Sequence, residues 1–166
     1  VRTLNQFDVD LGAHEDVLEG IIPRFLARKY KRVDTIDIQN GRCGTDDEGS
    51  SHGLLERNNQ VRRNLSKLLL SRVWKRVCIE GSDSPALFVL IQTMLRENRI
   101  KNVELSFSME DDDPIESVSE CVVAPLRNGF EWTSALEGLS ICGMYLATEH
   151  EARILAEGLR HCSSLK

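Results

Sequence analysis

The chain contains no run of about 18 or more apolar residues, so none of its segments is expected to span a membrane. Its visible start is unlike a signal peptide, because Asp8 and Asp10 interrupt the apolar pattern. Aromatic residues make up only 5% of the 166 residues, and none are interleaved with basic residues as in single-stranded nucleic-acid sites. The formal net charge is −5, which disfavours binding to a phosphate backbone. We therefore expect neither a membrane nor a nucleic acid as partner.

The motifs of common enzyme sites are also missing. None of the four histidines belongs to an HExxH motif, and the chain has no glycine-rich phosphate loop or GxSxG elbow. The five cysteines are widely spaced without a CxxC pair, which fits neither a disulfide framework nor a zinc site. They predict reduced thiols in a cytoplasmic protein, and a nuclear protein is the alternative. A targeting signal would have to lie outside this segment. We expect no enzymatic activity, no metal and no cofactor.

Two polar segments carry side chains that are capable of binding a metal. The first, residues 40–53, holds Cys43, Asp46, Asp47, Glu48 and His52. Its glycine and serine content favours a surface loop, whereas a metal site needs fixed geometry. The second, residues 110–113, lacks the spaced oxygen ligands and the turn glycine of an EF-hand. Neither segment is therefore predicted to be a metal centre.

A repeated pattern, apolar-x-x-apolar-x-apolar, organises the chain. Its copies begin at Leu4, Val33, Trp74, Ile100 and Leu136, and a sixth copy is expected to begin at Leu165. Each copy is followed by a loop, a segment with helical spacing and a short polar turn, whereas the similar match at Leu65 lies in a leucine run typical of a helix. The pattern predicts about five strand–helix units.

Helix-start signals occur at the same phase in three of these units. Thr148 and Glu151 form a capping box that predicts a helix from Glu149 to about His161. Residues 84–85 combine a serine N-cap with a proline at the first helical position, and residues 113–116 repeat this device with aspartate and add a glutamate. The agreement in phase supports the division into units.

The last complete unit, residues 136–166, places Ala152 and Ala156 where a helix must pack closely on a strand. This unit and the first one, 29 residues long, resemble leucine-rich repeats of the ribonuclease-inhibitor-like subfamily. The resemblance implies an α/β solenoid, with a curved parallel sheet inside and helices outside. The subfamily's asparagine or cysteine after each strand is replaced, so the repeats are degenerate; the replacements are Gly12, Gly41, Ser82, Ser108 and Met144.

We interpret residues 1–166 as one leucine-rich-repeat domain. Repeat arrays need terminal caps with polar outer faces, and neither end of this sequence supplies one. The expectation is therefore a segment of a longer chain.

Side-chain alternation along a strand assigns each position of the pattern to one face of the sheet. The fourth and sixth positions point into the core, and the residues predicted to line it are Ile36, Ile38, Val77, Ile79, Val103, Leu105, Leu139 and Ile141. The third, fifth and seventh positions point to the opposite, concave face. That face carries five acids and one base, which are Asp8, Asp10, Asp37, Glu80, Glu104 and Arg76.

Curved solenoids commonly bind partners on the concave face, so we predict a non-catalytic protein–protein interaction scaffold that binds a basic segment. The candidate binding residues are Asp8, Asp10, Asp37, Arg76, Glu80, Asn102 and Glu104. The alternative interpretation is that an exposed sheet face is polar for solubility alone. Two other functions remain open: a GTPase-activating-type regulator of a small GTPase, as in some members of the subfamily, and a substrate-recognition module of a ubiquitin ligase. Stimulated GTP hydrolysis would identify the first and a flanking F-box the second.

Overall fold

The computed structural model describes residues 5–28, 30, 32–39, 53–107, 120–144, 146 and 148–166. Five short strands alternate along the chain with helices. The strands are β1 (Gln6–Asp10), β2 (Thr35–Gln39), β3 (Arg76–Glu80), β4 (Asn102–Ser106) and β5 (Gly138–Cys142). The helices are α1 (Glu15–Arg28), α2 (Leu54–Arg57), α3 (Asn59–Leu70), α4 (Pro85–Arg96), α5 (Glu120–Trp132) and α6 (Glu149–His161).

The strands form one parallel sheet in chain order, β1-β2-β3-β4-β5. Each strand lies where the repeated pattern predicts it, and equivalent pattern positions pair across the sheet. The fourth positions form one row, which consists of Phe7, Ile36, Val77, Val103 and Leu139. The sixth positions form the next row, which consists of Val9, Ile38, Ile79, Leu105 and Ile141. The predicted α/β class with alternating strands and helices is therefore confirmed.

The predicted core is confirmed in the middle of the sheet and is incomplete at its end. In β2, β3 and β4 every side chain of the two apolar rows is at most 2% exposed. Leu139 and Ile141 pack against the core as predicted, but they are only partly buried. The reason is their position, because β5 is the last strand of the described sheet and has a neighbouring strand on one side only.

The helix starts follow local capping chemistry. Thr148 and Glu151 form the predicted capping box, and α6 spans the predicted residues. The Ser84 hydroxyl accepts a hydrogen bond from the Leu87 amide, with proline at the first position of α4. The third predicted start, at residues 113–116, lies outside the described residues. A further cap went unpredicted: the Asn58 side chain accepts hydrogen bonds from the first amides of α3.

The helices pack on one another in the order α1, α3, α4, α5 and α6. Ala152 and Ala156 of α6 are exposed, so the expected close packing through these two alanines is wrong. The close approach is made by Gly158, which is buried against the backbone of Arg127 in α5. A Cβ atom at this position would lie 2.8 Å from both the Cα and the carbonyl oxygen of Arg127.

We expect the substitution Gly158→Ala to destabilise the protein by about 1–3 kcal/mol, because the backbone of α5 would have to move to admit the methyl group. The matched control is Gly20→Ala in α1, where an added Cβ would meet no atom within 4 Å. The control should stabilise the protein by about 0.5–1 kcal/mol, since alanine is the better helix former. Denaturant unfolding of both variants measures the two effects. If Gly158→Ala stabilised the protein as much as the control does, α5 and α6 would not pack closely at this position.

Candidate functional site

The face of the sheet opposite the helices carries three rows of polar side chains, which together we name the open face. The first row is Gln6, Thr35, Arg76, Asn102 and Gly138. The middle row is Asp8, Asp37, Cys78, Glu104 and Ser140. The last row is Asp10, Gln39, Glu80, Ser106 and Cys142. All seven candidate binding residues lie on this face, as predicted from the alternation.

The carboxylates of the open face are concentrated on one half of it. Four of the five lie on β1, β2 and β3, where neighbouring strands are about 4.8 Å apart. The fifth, Glu104 on β4, forms an ion pair with Arg76 of β3. The other open-face residues of β4 and β5 are neither acidic nor basic; they are Asn102, Ser106, Gly138, Ser140 and Cys142. The negative potential is therefore centred over the first three strands.

Asp37 lies at the centre of this acidic half. Its Oδ2 atom accepts hydrogen bonds from Nε2 of Gln39 at 3.1 Å and from Nε2 of Gln6 at 3.5 Å. The same Gln6 amide donates to Oδ1 of Asp8 at 2.7 Å, so it links the two aspartates. Oδ1 of Asp37 is buried, and no group among the described residues donates to it.

Burial raises the pKa of the Asp37 carboxyl above its ordinary value. The hydrogen bond from Gln39 opposes this rise in pKa, whereas the nearby charges of Glu80 and Asp8 add to it, and the charge of Arg76 again opposes it. The carboxylate is thus held in a position that is unfavourable for its charge.

Arg76 and Glu104 face each other across β3 and β4. The Arg76 Nη2 donates to Oε2 of Glu104, and the side chains are 50% and 43% exposed. This hydrogen bond raises the pKa of the Arg76 guanidinium. The same Glu104 oxygen accepts from the Cys78 thiol at 3.6 Å.

Burial raises the pKa of the Cys78 thiol to about 11. The charge of Arg76 acts in the opposite direction, and those of Glu104 and Asp37 reinforce the rise. At neutral pH Cys78 is therefore a protonated thiol, whereas nucleophilic attack and metal binding require the thiolate. Its chemical role on the open face is that of a weak hydrogen-bond donor.

A shallow concavity of about 150 Å³ lies over β2, β3 and β4. It is lined by Gln6, Asp37, Arg76, Cys78, Ile79, Glu80, Glu104 and Ser106. Sites for drug-sized ligands and cofactors typically measure about 300–1,000 Å³. The concavity is therefore smaller than such sites, and three of its lining residues are acidic.

The structure gathers some of the candidate residues and separates others. Asp37, Arg76, Glu80 and Glu104 surround the concavity, whereas Asp8 and Asp10 lie beside it on β1. Asn102 is occupied in another way, because its Nδ2 donates to the Lys75 carbonyl at 2.8 Å and ties the starts of β3 and β4 together.

Four open-face residues were missed as candidates: Gln6, Cys78 and Ser106 line the concavity, and Gln39 donates a hydrogen bond to Asp37. Each occupies an open-face position of the repeated pattern, so its place on this face was predictable. The hydrogen bonds from Gln6 to Asp37 and from Cys78 to Glu104 have no signal in the sequence, because they join residues of different strands. Those from Gln39 to Asp37 and from Gln6 to Asp8 join residues two positions apart on one strand.

On the part of the chain that the structure describes, no three histidine, cysteine, aspartate or glutamate side chains are grouped so as to hold a metal ion. No helix of the described residues is long and apolar enough to cross a membrane. The described cysteines, Cys78, Cys121, Cys142 and Cys162, are free thiols. The segment with Cys43 and His52 lies outside the described residues.

No protein-family model matches the chain, and no curated protein matches it significantly. The resemblance to leucine-rich repeats therefore stays a prediction from the repeated pattern.

We expect Asp37→Asn to stabilise the protein at pH 7 by about 0.5 kcal/mol, a value that allows for screening by solvent. The folded-state pKa of Asp37 is raised, so the penalty on its charge is present at neutral pH. The penalty disappears below the unfolded-state pKa of about 3.9, and the gain should vanish at pH 3.

Unfolding free energies of both proteins at the two pH values measure this effect. The control is Asp8→Asn, which removes an exposed carboxylate from the same row of the neighbouring strand. A gain from Asp37→Asn that is no larger than the control's, or one that persists at pH 3, would show that burial of the Asp37 charge is not its cause.

Proposed function

We propose that the chain is a leucine-rich-repeat solenoid of the ribonuclease-inhibitor-like subfamily, whose open face is the concave one and binds a protein partner without catalysis. Support comes from five parallel strands paired in register, each carrying the repeated pattern, and from helices that pack in chain order. Proteins of this architecture commonly present an extended concave surface to their partners.

The observation that carries the proposed binding mode is the uneven charge of the open face. Asp8, Asp10, Asp37 and Glu80 lie on three adjacent strands, and Arg76 already pairs with Glu104. Such a field attracts a positively charged segment and speeds its association, with a strong dependence on ionic strength. The partner is therefore a protein segment with several lysine or arginine residues, and we place no cofactor at this site.

Two further features fit this proposal. The described thiols are free, as in proteins of the cytoplasm, where disulfides are rare. The concavity is smaller than typical cofactor sites, which suits a peptide better than a cofactor. No described feature favours a GTPase-activating role or membership of a ubiquitin ligase.

The test measures binding of a synthetic octapeptide that alternates lysine and serine. Neutralising Asp37 and Glu80 together, as Asp37→Asn and Glu80→Gln, should weaken binding about tenfold at physiological salt, since two attractive charges are lost. In amide NMR spectra of the wild-type protein, the peptide should perturb residues of β1, β2 and β3 most strongly.

The control neutralises two exposed acids of the helix layer, Asp16 in α1 and Glu149 in α6. This variant has the same net charge and should bind the peptide nearly as the wild type does. Equal weakening by both double variants, or perturbation of helix amides alone, would contradict binding on the open face and leave solubility as the reason for its acids.

A further inference from the structure

Arg76 is the single basic residue among the fifteen residues of the open face. Its side chain lines the concavity together with Asp37, Glu80 and Glu104, and it donates a hydrogen bond to Glu104. A guanidinium of the protein itself thus contacts the acidic lining that would receive a cation from a partner.

The ion pair between Arg76 and Glu104 is one in which another cation can replace Arg76. Both side chains are about half exposed, and exposed ion pairs are weakly held because solvent screens the attraction and the side chains lose freedom. Because the Arg76 side chain is already half exposed in this ion pair, moving away from Glu104 does not take it out of a buried site. Glu104 also keeps a neighbour when Arg76 leaves, because the Cys78 thiol donates to the same oxygen.

We propose that Arg76 is an internal competitor for the partner's cation: a lysine or arginine of the partner displaces it from Glu104 on binding. This inference rests on the proposed function and adds a regulating contact to the same site. It also changes the role of Arg76, which was predicted as a residue that binds the partner and here opposes binding.

The competition discriminates between ligands by their number of charges. A ligand with one cation replaces one ion pair at Glu104 with another, so it gains little there. A segment with several cations also reaches the carboxylates of Asp37 and Glu80. Arg76 therefore favours multiply charged segments over single amines.

The first experiment measures binding of the lysine–serine octapeptide to the variant Arg76→Ala. We expect affinity to rise about two- to fivefold, the range that corresponds to an exposed ion pair. The matched control is Lys75→Ala, which removes the same charge from the neighbouring exposed residue, for which the structure shows no contact with Glu104. A rise of equal size in both variants would mean that only overall charge matters and would overturn the proposal.

The second experiment is a double-mutant cycle between Arg76→Ala and Glu104→Gln. In the wild-type background Glu104→Gln should reduce affinity by less than twofold, because the lost contact with the peptide is offset by the ion pair that no longer has to break. In the Arg76→Ala background the same substitution should reduce affinity about two- to fivefold. Additive effects would overturn the competition, since a purely long-range charge effect does not couple the two sites.

These outcomes separate the inference from the proposed function. If the peptide binds the wild type and is weakened by the Asp37 and Glu80 substitutions, but Arg76→Ala does not tighten binding, only the role of Arg76 is wrong. If neither the wild type nor Arg76→Ala binds the peptide, the proposed function is wrong and the inference falls with it.

Discussion

The parallel, in-register pairing of the five strands is the constraint on which the rest of the structure depends. Because each repeated position pairs with its equivalent on the next strand, an apolar position becomes a row of core residues and a polar position becomes a row on the open face. A slip of one residue in any strand would exchange the two faces, so the buried rows fix the alignment of the acidic ones.

The features that could be predicted from the sequence depend on interactions between residues close together in the chain. Alternation has a period of two residues, so the face of every strand residue followed from the pattern alone. The caps at Ser84 and Thr148 join groups that are three residues apart in the chain, and both were predictable for that reason.

Apart from the local cap at Asn58, the main features that escaped prediction join distant parts of the chain. The link from Gln6 to Asp37 and the pair of Arg76 with Glu104 depend on which rotamers meet across two strands. The partial burial of Leu139 depends on β5 having one neighbour rather than two. Gly158 rather than an alanine makes the close contact, and its partner, the backbone of Arg127, belongs to another helix.

The four intervals between successive strands differ in length, and this has a different consequence. Successive copies of the pattern begin between 26 and 41 residues apart, yet every strand keeps the same alignment with its neighbours. The extra residues lie in the chain between one strand and the following one. The spacing of the open-face carboxylates is therefore set by the pairing of the strands and does not depend on the length of the connecting segments.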